Sequence, residues 1–148
     1  MASICQQTLV EAAPAQVWAA VRDVGAVHRR LVPGYVVDTR LEGDYRILTH
    51  SNGSVTRELI IAVDDQERRL AYAVVEGRLP LLHHHASMQV FGAGEHRSRL
   101  VWITDVLPNH LANDIRLHVE RGAAVMKQTL EEDAGSRSMG CSTATLPE

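Results

Sequence analysis

The stretch from Gly53 to Met88 constrains the fold of this chain most, because it contains three strands joined by two short connections. Each strand alternates apolar and polar side chains with the period of two that is typical of a half-buried β-strand. Parallel strands would need long crossovers, so the short turns predict an antiparallel meander. One apolar face of this meander carries Glu58, Tyr72 and His84. Burying such groups without a partner costs several kcal/mol, so this face is expected to form a pocket wall.

The same alternation extends to both sides of the meander and predicts a seven-stranded antiparallel sheet. Two short helices are expected after the first strand, one opened by Pro14 and ended by Gly25, the other running from Ala26 to Leu31. Short turns again join each later strand to the next. The predicted strands are Ser3–Val10, Tyr35–Leu41, Asp44–His50, Val55–Val63, Arg69–Glu76, His83–Phe91 and Arg99–Val106.

A long helix is predicted from Leu111 to Glu132, and it is the element able to cover the apolar face of the sheet. The fold class is therefore α+β, with the sheet wrapped around this C-terminal helix. Residues 1–132 are expected to form one ligand-binding domain. Residues 133–148 are rich in Gly, Ser and Thr without periodicity, which predicts a disordered tail. The expected sheet-facing stripe of the helix is Leu111, Ile115, His118, Gly122, Val125, Met126 and Leu130.

Composition and charge exclude several classes of function. The net charge is −3, and Lys127 is the only lysine, so no basic surface for nucleic acid is expected. No apolar run approaches 18 residues and no signal pattern opens the chain, so we expect no membrane span and a cytoplasmic location. No glycine-rich phosphate loop, dinucleotide fingerprint or metal-ligand spacing is present, so no cofactor is expected. A homodimer is left open.

Several loose motifs share the order and spacing of one superfamily. They are the helix opening Pro14-Ala15-Gln16-Val17-Trp18, Arg57-Glu58-Leu59 before Asp64-Asp65, Tyr72 before Glu76-Gly77-Arg78-Leu79-Pro80, and Trp102 before Pro108. From Ser3 to Glu132 the chain resembles the START-like or SRPBCC superfamily of helix-grip proteins, which includes polyketide cyclases, Bet v 1-like allergens and abscisic-acid receptors. The resemblance implies a helix-grip fold with a cavity. It also implies that Ser51–Ser54 and Gly77–Leu82 lie on the cavity rim, as the gate and latch loops of the receptor branch do.

Glu58 is the acid expected to point most directly into the pocket. It alternates with Thr56 and Ile60, and the resemblance also places a carboxylate in the cavity at this position. The alternative is a surface strand with Arg57 on the buried side, because both faces of this strand contain apolar residues. If Glu58 is buried among apolar groups, its proton affinity should rise, which would suit acid–base chemistry or binding of a ligand hydroxyl.

The run His83-His84-His85 suggests a metal site at first sight, since alternate residues of a strand share a face. Two histidines do not make a site, however, and no third ligand can be named, so no metal is expected. Alternation groups His84 with apolar neighbours and places His83 and His85 on the opposite face. We therefore expect His84 to face the pocket.

Three further residues have two interpretations each. Tyr72 either offers its hydroxyl to a ligand or is an ordinary core tyrosine, and His118 either contacts a ligand or is a satisfied core histidine. Trp102 either walls the pocket or packs behind the sheet. The candidate catalytic residues are Glu58, His84 and Tyr72. The candidate ligand contacts are Leu48, His50, Glu58, Ile60, Tyr72, Val74, His84, Ala86, Met88, Trp102, His118, Gly122 and Met126.

Two main functional hypotheses follow from these residues and the resemblance. In the first, the protein binds a small hydrophobic or aromatic molecule, a lipid included, for storage, transport or sensing. In the second, it is a polyketide cyclase or dehydratase that moves protons on a carbonyl substrate in the same cavity. A third hypothesis is a partner-interaction domain whose cavity is vestigial.

Overall fold

The computed structural model describes the backbone of residues 2–144 and the side chains of residues 2–136. It confirms the α+β architecture, and each predicted strand is present to within one residue at either end. A single 3₁₀ turn over Asn109–Leu111 precedes the long helix. The elements in chain order are β1 (Ala2–Val10), α1 (Pro14–Arg22), α2 (Val27–Arg30), β2 (Val36–Glu42), β3 (Tyr45–His50), β4 (Val55–Asp64), β5 (Arg69–Glu76), β6 (His83–Gly92), β7 (Ser98–Leu107) and α3 (Ala112–Ala144).

The seven strands form one antiparallel sheet in the order β1-β7-β6-β5-β4-β3-β2. The first two strands of the chain are therefore the two edges, and α1 and α2 connect them. Register shifts in β4, between Arg57 and Glu58 and between Ile60 and Ala62, interrupt its pairing with β5. Bulges of this kind bend a strand and increase its twist, so they curve the sheet around α3 beside the cavity described below.

Helix α3 buries one apolar stripe against the inner face of the sheet. The predicted stripe is largely confirmed, and Val119 and Ala123 are buried with it. The predicted end of the helix at Glu132 is wrong, because the helix continues to Ala144. Residues 145–148 of the predicted tail lie outside the described residues. In the described part of the chain, no helix combines the length and apolarity needed to cross a membrane.

Gly122 brings α3 close to the sheet. A Cβ placed on this glycine would lie 3.2 Å from the Trp102 ring, which is closer than ordinary van der Waals contact. Any larger side chain would push the helix and the indole apart. Gly122 therefore serves the packing of α3 on β7.

Two single variants, Gly122→Ala and Gly135→Ala, separate the effect of close packing from the effect of helix propensity on stability. Both glycines lie in α3, but a Cβ on Gly135 would meet nothing within 4 Å. Gly135→Ala should raise the free energy of unfolding by about 0.5–1 kcal/mol, since alanine is the better helix former. Gly122→Ala should fall short of that gain by about 1 kcal/mol or more, because the Trp102 ring must move. Urea unfolding measures both values, and equal gains would contradict the close contact.

Candidate functional site

A cavity of about 310 Å³ lies between the inner face of the sheet and α3. On the helix side, it is lined by residues of α3 between Asp114 and Met126. Most of the wall is apolar, as in pockets that bind small organic molecules. The apolar wall includes Val27, Leu31, Val32, Leu48, Val74, Met88, Trp102, Ile115, Val119 and Met126.

Two loops and the N-terminal half of α3 form part of the cavity lining. Ser51, Asn52 and Ser54 come from the β3–β4 turn, and the β5–β6 loop contributes residues between Gly77 and Leu81. The structure thus places both loops that the resemblance assigned to the rim beside the cavity. Asp114 and Arg121 of α3 also line it.

A buried ion pair joins β3 to β4 in the cavity wall. Arg46 and Glu58 are directly opposed in the register of the two strands. The Arg46 Nε donates to Glu58 Oε1 at 2.7 Å, and the side chains are only 4% and 8% exposed. Glu58 faces the cavity as predicted, with Arg57 on the other face stacked on Tyr45. Glu58 is not surrounded by apolar groups alone, because Arg46 supplies the opposite charge.

Tyr72 and Trp102 form a second polar contact in the same wall. The Trp102 Nε1 donates to the Tyr72 hydroxyl at 3.0 Å. The Arg46 guanidinium lies over the Tyr72 ring, 4.9 Å from its centroid. Burial raises the pKa of Tyr72 well above its usual value, and the nearby Glu58 carboxylate raises it further. Tyr72 therefore stays protonated, and Trp102 faces the cavity rather than the back of the sheet.

His84 faces the cavity, as the alternation predicted, whereas His83 is exposed. The Val74 backbone N–H donates to its Nδ1 at 3.3 Å, so the neutral ring carries its proton on Nε2. Burial lowers the pKa of His84 to about 4. Within the described side chains, no group of three His, Cys, Asp or Glu residues could hold a metal ion.

A cluster of three rings lies near the N-terminal half of α3. The Tyr35 hydroxyl and His118 Nδ1 are hydrogen-bonded at 2.6 Å, and the His50 ring packs edge-on against both rings. The His50 Nε2 is hydrogen-bonded to the Thr56 hydroxyl at 2.8 Å. Burial lowers the pKa of His118 to about 4, and it also lowers the pKa of His50 and raises that of Tyr35. At neutral pH this cluster is uncharged.

The cavity brings together most of the residues singled out from the sequence, including the three catalytic candidates. Ile60 and Ala86 do not line it. Ile60 packs against the hydrophobic core instead, and Ala86 is fully buried beside Tyr72, its cross-strand neighbour. The predicted contacts that line the cavity are Leu48, His50, Glu58, Tyr72, Val74, His84, Met88, Trp102, His118, Gly122 and Met126.

Five polar residues of the wall outside the two predicted rim loops were not among the candidate contacts, namely Tyr35, Arg46, Thr56, Asp114 and Arg121. Alternation groups Arg46 with Leu48 and His50 on the inward face, where it could meet a ligand, but a solvent-exposed position is the favoured expectation for it. Thr56 alternates with Glu58 and could have been found in the same way. Tyr35 precedes β2 and follows the Pro33-Gly34 turn, and no local pattern indicates where such a side chain points.

The buried histidines predict a stability that falls in mild acid. His84 and His118 have a pKa of about 4 in the fold and 6.5 as free groups. Between these values the unfolded chain binds protons that the folded chain does not, so the free energy of unfolding decreases as the pH falls from 6.5 toward 4. We expect a loss of about 2 kcal/mol for each histidine between about pH 7.5 and about pH 5. Urea unfolding at both pH values measures it.

Three single substitutions test whether His84 and His118 cause this pH dependence of stability. His84→Gln and His118→Gln should each make the pH dependence shallower by about 2 kcal/mol. His96→Gln is the matched control, because His96 is exposed in the β6–β7 turn and should leave the dependence unchanged. If all three variants behaved like the wild type, the two buried rings would not be held neutral by burial.

Comparison with known proteins agrees with the fold. The family model described as polyketide cyclase / dehydrase and lipid transport matches residues 1–133. A START superfamily protein from Mycobacterium smegmatis is 11% identical with a TM-score of 0.70, and the match covers 90% of this chain and 97% of that one. The di-domain ARO/CYC protein BexL is 16% identical with a TM-score of 0.77, over 88% of this chain and 47% of BexL.

Norcoclaurine synthase from Thalictrum flavum, in complex with dopamine and hydroxybenzaldehyde, is 20% identical. Its TM-score is 0.67, and the match covers 88% of this chain and 84% of the synthase. At such identities the structural likeness shows the fold alone. No functionally curated protein matches the sequence.

Proposed function

The chain belongs to the polyketide cyclase / dehydrase and lipid transport family, and we propose that it holds a small hydrophobic or aromatic molecule in the cavity between sheet and α3. The family and its START-like neighbours have a ligand-binding fold. The binding serves storage, transport or sensing. The observation that carries the proposal is the cavity itself, about 310 Å³ of space with a mostly apolar wall.

The distribution of polar groups in the cavity supports this function. A site for a small organic molecule combines apolar surface with a few convergent polar groups that orient the ligand. Here the apolar side chains of Leu48, Met88 and Met126 are combined with the Arg46–Glu58 pair and the Tyr35–His118 hydrogen bond. Methionine side chains adapt to ligands of different shape, which suits an apolar binding site.

The structural neighbours favour an aromatic or polyketide-like ligand. Norcoclaurine synthase binds dopamine and hydroxybenzaldehyde, both single-ring aromatic molecules, on the same fold. The space in this chain suits a molecule of one or two rings better than a long lipid chain. A cytoplasmic location is a further prediction that rests on the sequence, whereas a short lipid ligand and a homodimer stay open alternatives.

Filling the cavity with an indole should abolish binding of an apolar dye. Val74 and Val75 are neighbours on β5, but Val74 lines the cavity whereas Val75 lies on the outer face, 48% exposed. We expect Val74→Trp to lower the affinity for the neutral dye phenylnaphthylamine by about 10-fold or more, because the indole occupies its place. Overpacking costs about 1–3 kcal/mol, so the variant should still unfold cooperatively. Fluorescence titration measures the affinity.

Val75→Trp is the matched control and should bind the dye as the wild type does. Equal loss in both variants, or no loss in a folded Val74→Trp protein, would contradict binding in this cavity. Native mass spectrometry of freshly purified protein adds an independent test, since a ligand that co-purifies should be present in the wild type and displaced in Val74→Trp.

The Tyr35–His118 hydrogen bond favours one second candidate, acid–base chemistry of the cyclase or dehydratase type. A hydroxyl bonded to a neutral imidazole at 2.6 Å can pass a proton to or from a substrate carbonyl. The three sequence candidates are less suited to this role. Glu58 is paired with Arg46, the Tyr72 hydroxyl accepts from Trp102, and the His84 Nδ1 accepts from the backbone.

Hydrogen–deuterium exchange at the methyl group of acetylnaphthalene tests this chemistry without knowledge of the substrate. A cavity that enolises a carbonyl compound should speed the exchange, which proton NMR follows in deuterated buffer. Tyr35→Phe should slow the enzymatic exchange by about 10²-fold while affinity survives. Glu58→Gln keeps the shape of the side chain and tests Glu58 as the acid or base proposed from the sequence. If Glu58 has that role, the exchange rate should fall by about 10²–10⁴-fold. Exchange at the buffer rate in the wild type would exclude the enzyme hypothesis for this class of substrate.

A further inference from the structure

The Arg46 guanidinium has hydrogen-bonding capacity that the described part of the chain does not use. A guanidinium carries five N–H donors, and Arg46 makes one hydrogen bond, from Nε to Glu58. The terminal nitrogen Nη1 is buried and has no partner among the described residues. Leaving a buried donor without an acceptor costs free energy, more so when the donor is charged. The described residues therefore leave the Arg46 guanidinium short of a hydrogen-bond acceptor.

The surroundings hold the guanidinium where it is. Arg46 is 3% exposed, its Nε is bonded at 2.7 Å to Glu58, and its plane lies over the Tyr72 ring. A side chain held on two sides cannot reach solvent to satisfy its terminal nitrogens. The other terminal nitrogen, Nη2, also has no partner among the described residues and is not closed off as Nη1 is. Because Arg46 lines the cavity, a molecule there can supply an acceptor to Nη2.

A second unused donor lies in the same wall. The Tyr72 oxygen accepts from Trp102, and no acceptor for the Tyr72 hydroxyl proton is present in the described part of the chain. Neither Arg46 nor Tyr72 thus contributes an acceptor to the cavity. The N–H groups of Arg46 and the hydroxyl of Tyr72 therefore favour a ligand oxygen that accepts hydrogen bonds and donates none.

The charge at this end of the cavity favours a neutral acceptor over an anion. Glu58 already neutralises Arg46 in the pair. A ligand carboxylate at the guanidinium would lie close to the Glu58 carboxylate in a poorly solvated place, where like charges repel strongly. A ketone or aldehyde oxygen accepts the same hydrogen bond without that repulsion.

We propose that the Arg46–Glu58 pair is a carbonyl subsite, at which the terminal N–H groups of Arg46 bind the carbonyl oxygen of an otherwise apolar or aromatic ligand. Glu58 is a positioning residue that holds the guanidinium, and it does not contact the ligand oxygen. The inference rests on the proposed function and specifies its ligand class as carbonyl-bearing. Leu48, Met88, Trp102 and Met126 contact the apolar body of that ligand.

The subsite is tested with three naphthalene probes. They carry different substituents at the same ring position. Acetylnaphthalene has a carbonyl oxygen, ethylnaphthalene has none, and naphthoate carries a negative charge. The wild type should bind the ketone about 10-fold more tightly than the hydrocarbon, since a hydrogen bond to a charged donor gives roughly that preference. Isotope-edited infrared spectra should show the carbonyl stretch of the bound ketone shifted to lower frequency than in an alkane solvent.

Two variants test whether the Arg46–Glu58 pair causes the preference for the ketone over the hydrocarbon. Arg46→Met combined with Glu58→Leu removes both charges and keeps the side-chain volume, which buried ion pairs commonly tolerate. This double variant should bind the ketone and the hydrocarbon equally, with the hydrocarbon affinity retained. Arg57→Met is the matched control, because Arg57 is the neighbouring arginine on the other face of β4, stacked on Tyr45 and away from the cavity, so the ketone preference should persist. Cooperative urea unfolding verifies the fold, and the wild-type infrared shift tests the subsite independently if the double variant does not fold.

The outcomes separate this inference from the proposed function. Equal binding of ketone and hydrocarbon to the wild type, or a ketone preference that survives in the double variant, would overturn the subsite and leave the binding function standing. Tighter binding of naphthoate than of the ketone would assign the guanidinium to an anion instead. If none of the probes bound the wild type, the proposed function would fail and the subsite with it.

Discussion

The long helix α3 covers only part of the inner face of a sheet much wider than itself, and α1 packs against β5, β6 and β7. An α-helix is roughly 10 Å across with its side chains, whereas seven strands would span roughly 29 Å if flat. Curvature at the β4 bulges brings the sheet around α3, and α2 closes part of the remaining gap. At Gly122 the helix comes close to Trp102, and residues of α3 between Asp114 and Met126 line the cavity. The cavity is the volume that this geometry leaves unfilled, so the site depends on how α3 meets the sheet.

Each polar group that the wall buries is held by another residue of the chain. Glu58 is paired with Arg46, the Tyr72 oxygen accepts from Trp102, and His84 accepts from the β5 backbone. Such contacts offset the cost of burial and hold the side chains in fixed positions. The terminal end of Arg46 is the exception in the wall. A preorganised wall with one unsatisfied charged donor favours selective binding of a molecule that brings an acceptor.

The sequence predicted the secondary-structure elements, and which face of the sheet each side chain lies on, because both depend on local periodicity. All seven strands and the inward facing of Glu58 and His84 follow from period-two alternation. Alternation does not say which residue of the next strand lies opposite, so the Arg46–Glu58 pair could not be predicted. Its register depends on where the β3–β4 turn places the two strands. The partners of Tyr35 and His118, 83 positions apart, depend on the same long-range geometry.

The sequence by itself determined the α+β class, the order of the elements and the set of polar residues carried on an otherwise apolar sheet face, since these follow from neighbours along the chain. Only the tertiary structure decided that Glu58 is ion-paired, that Ile60 and Ala86 lie off the cavity, and that Arg46 Nη1 has no partner among the described residues. Burial and pairing arise between residues distant in sequence, and the chemistry of a side chain depends on those neighbours. The same Glu58 side chain would suit proton transfer in an apolar wall, whereas beside Arg46 it orients a guanidinium.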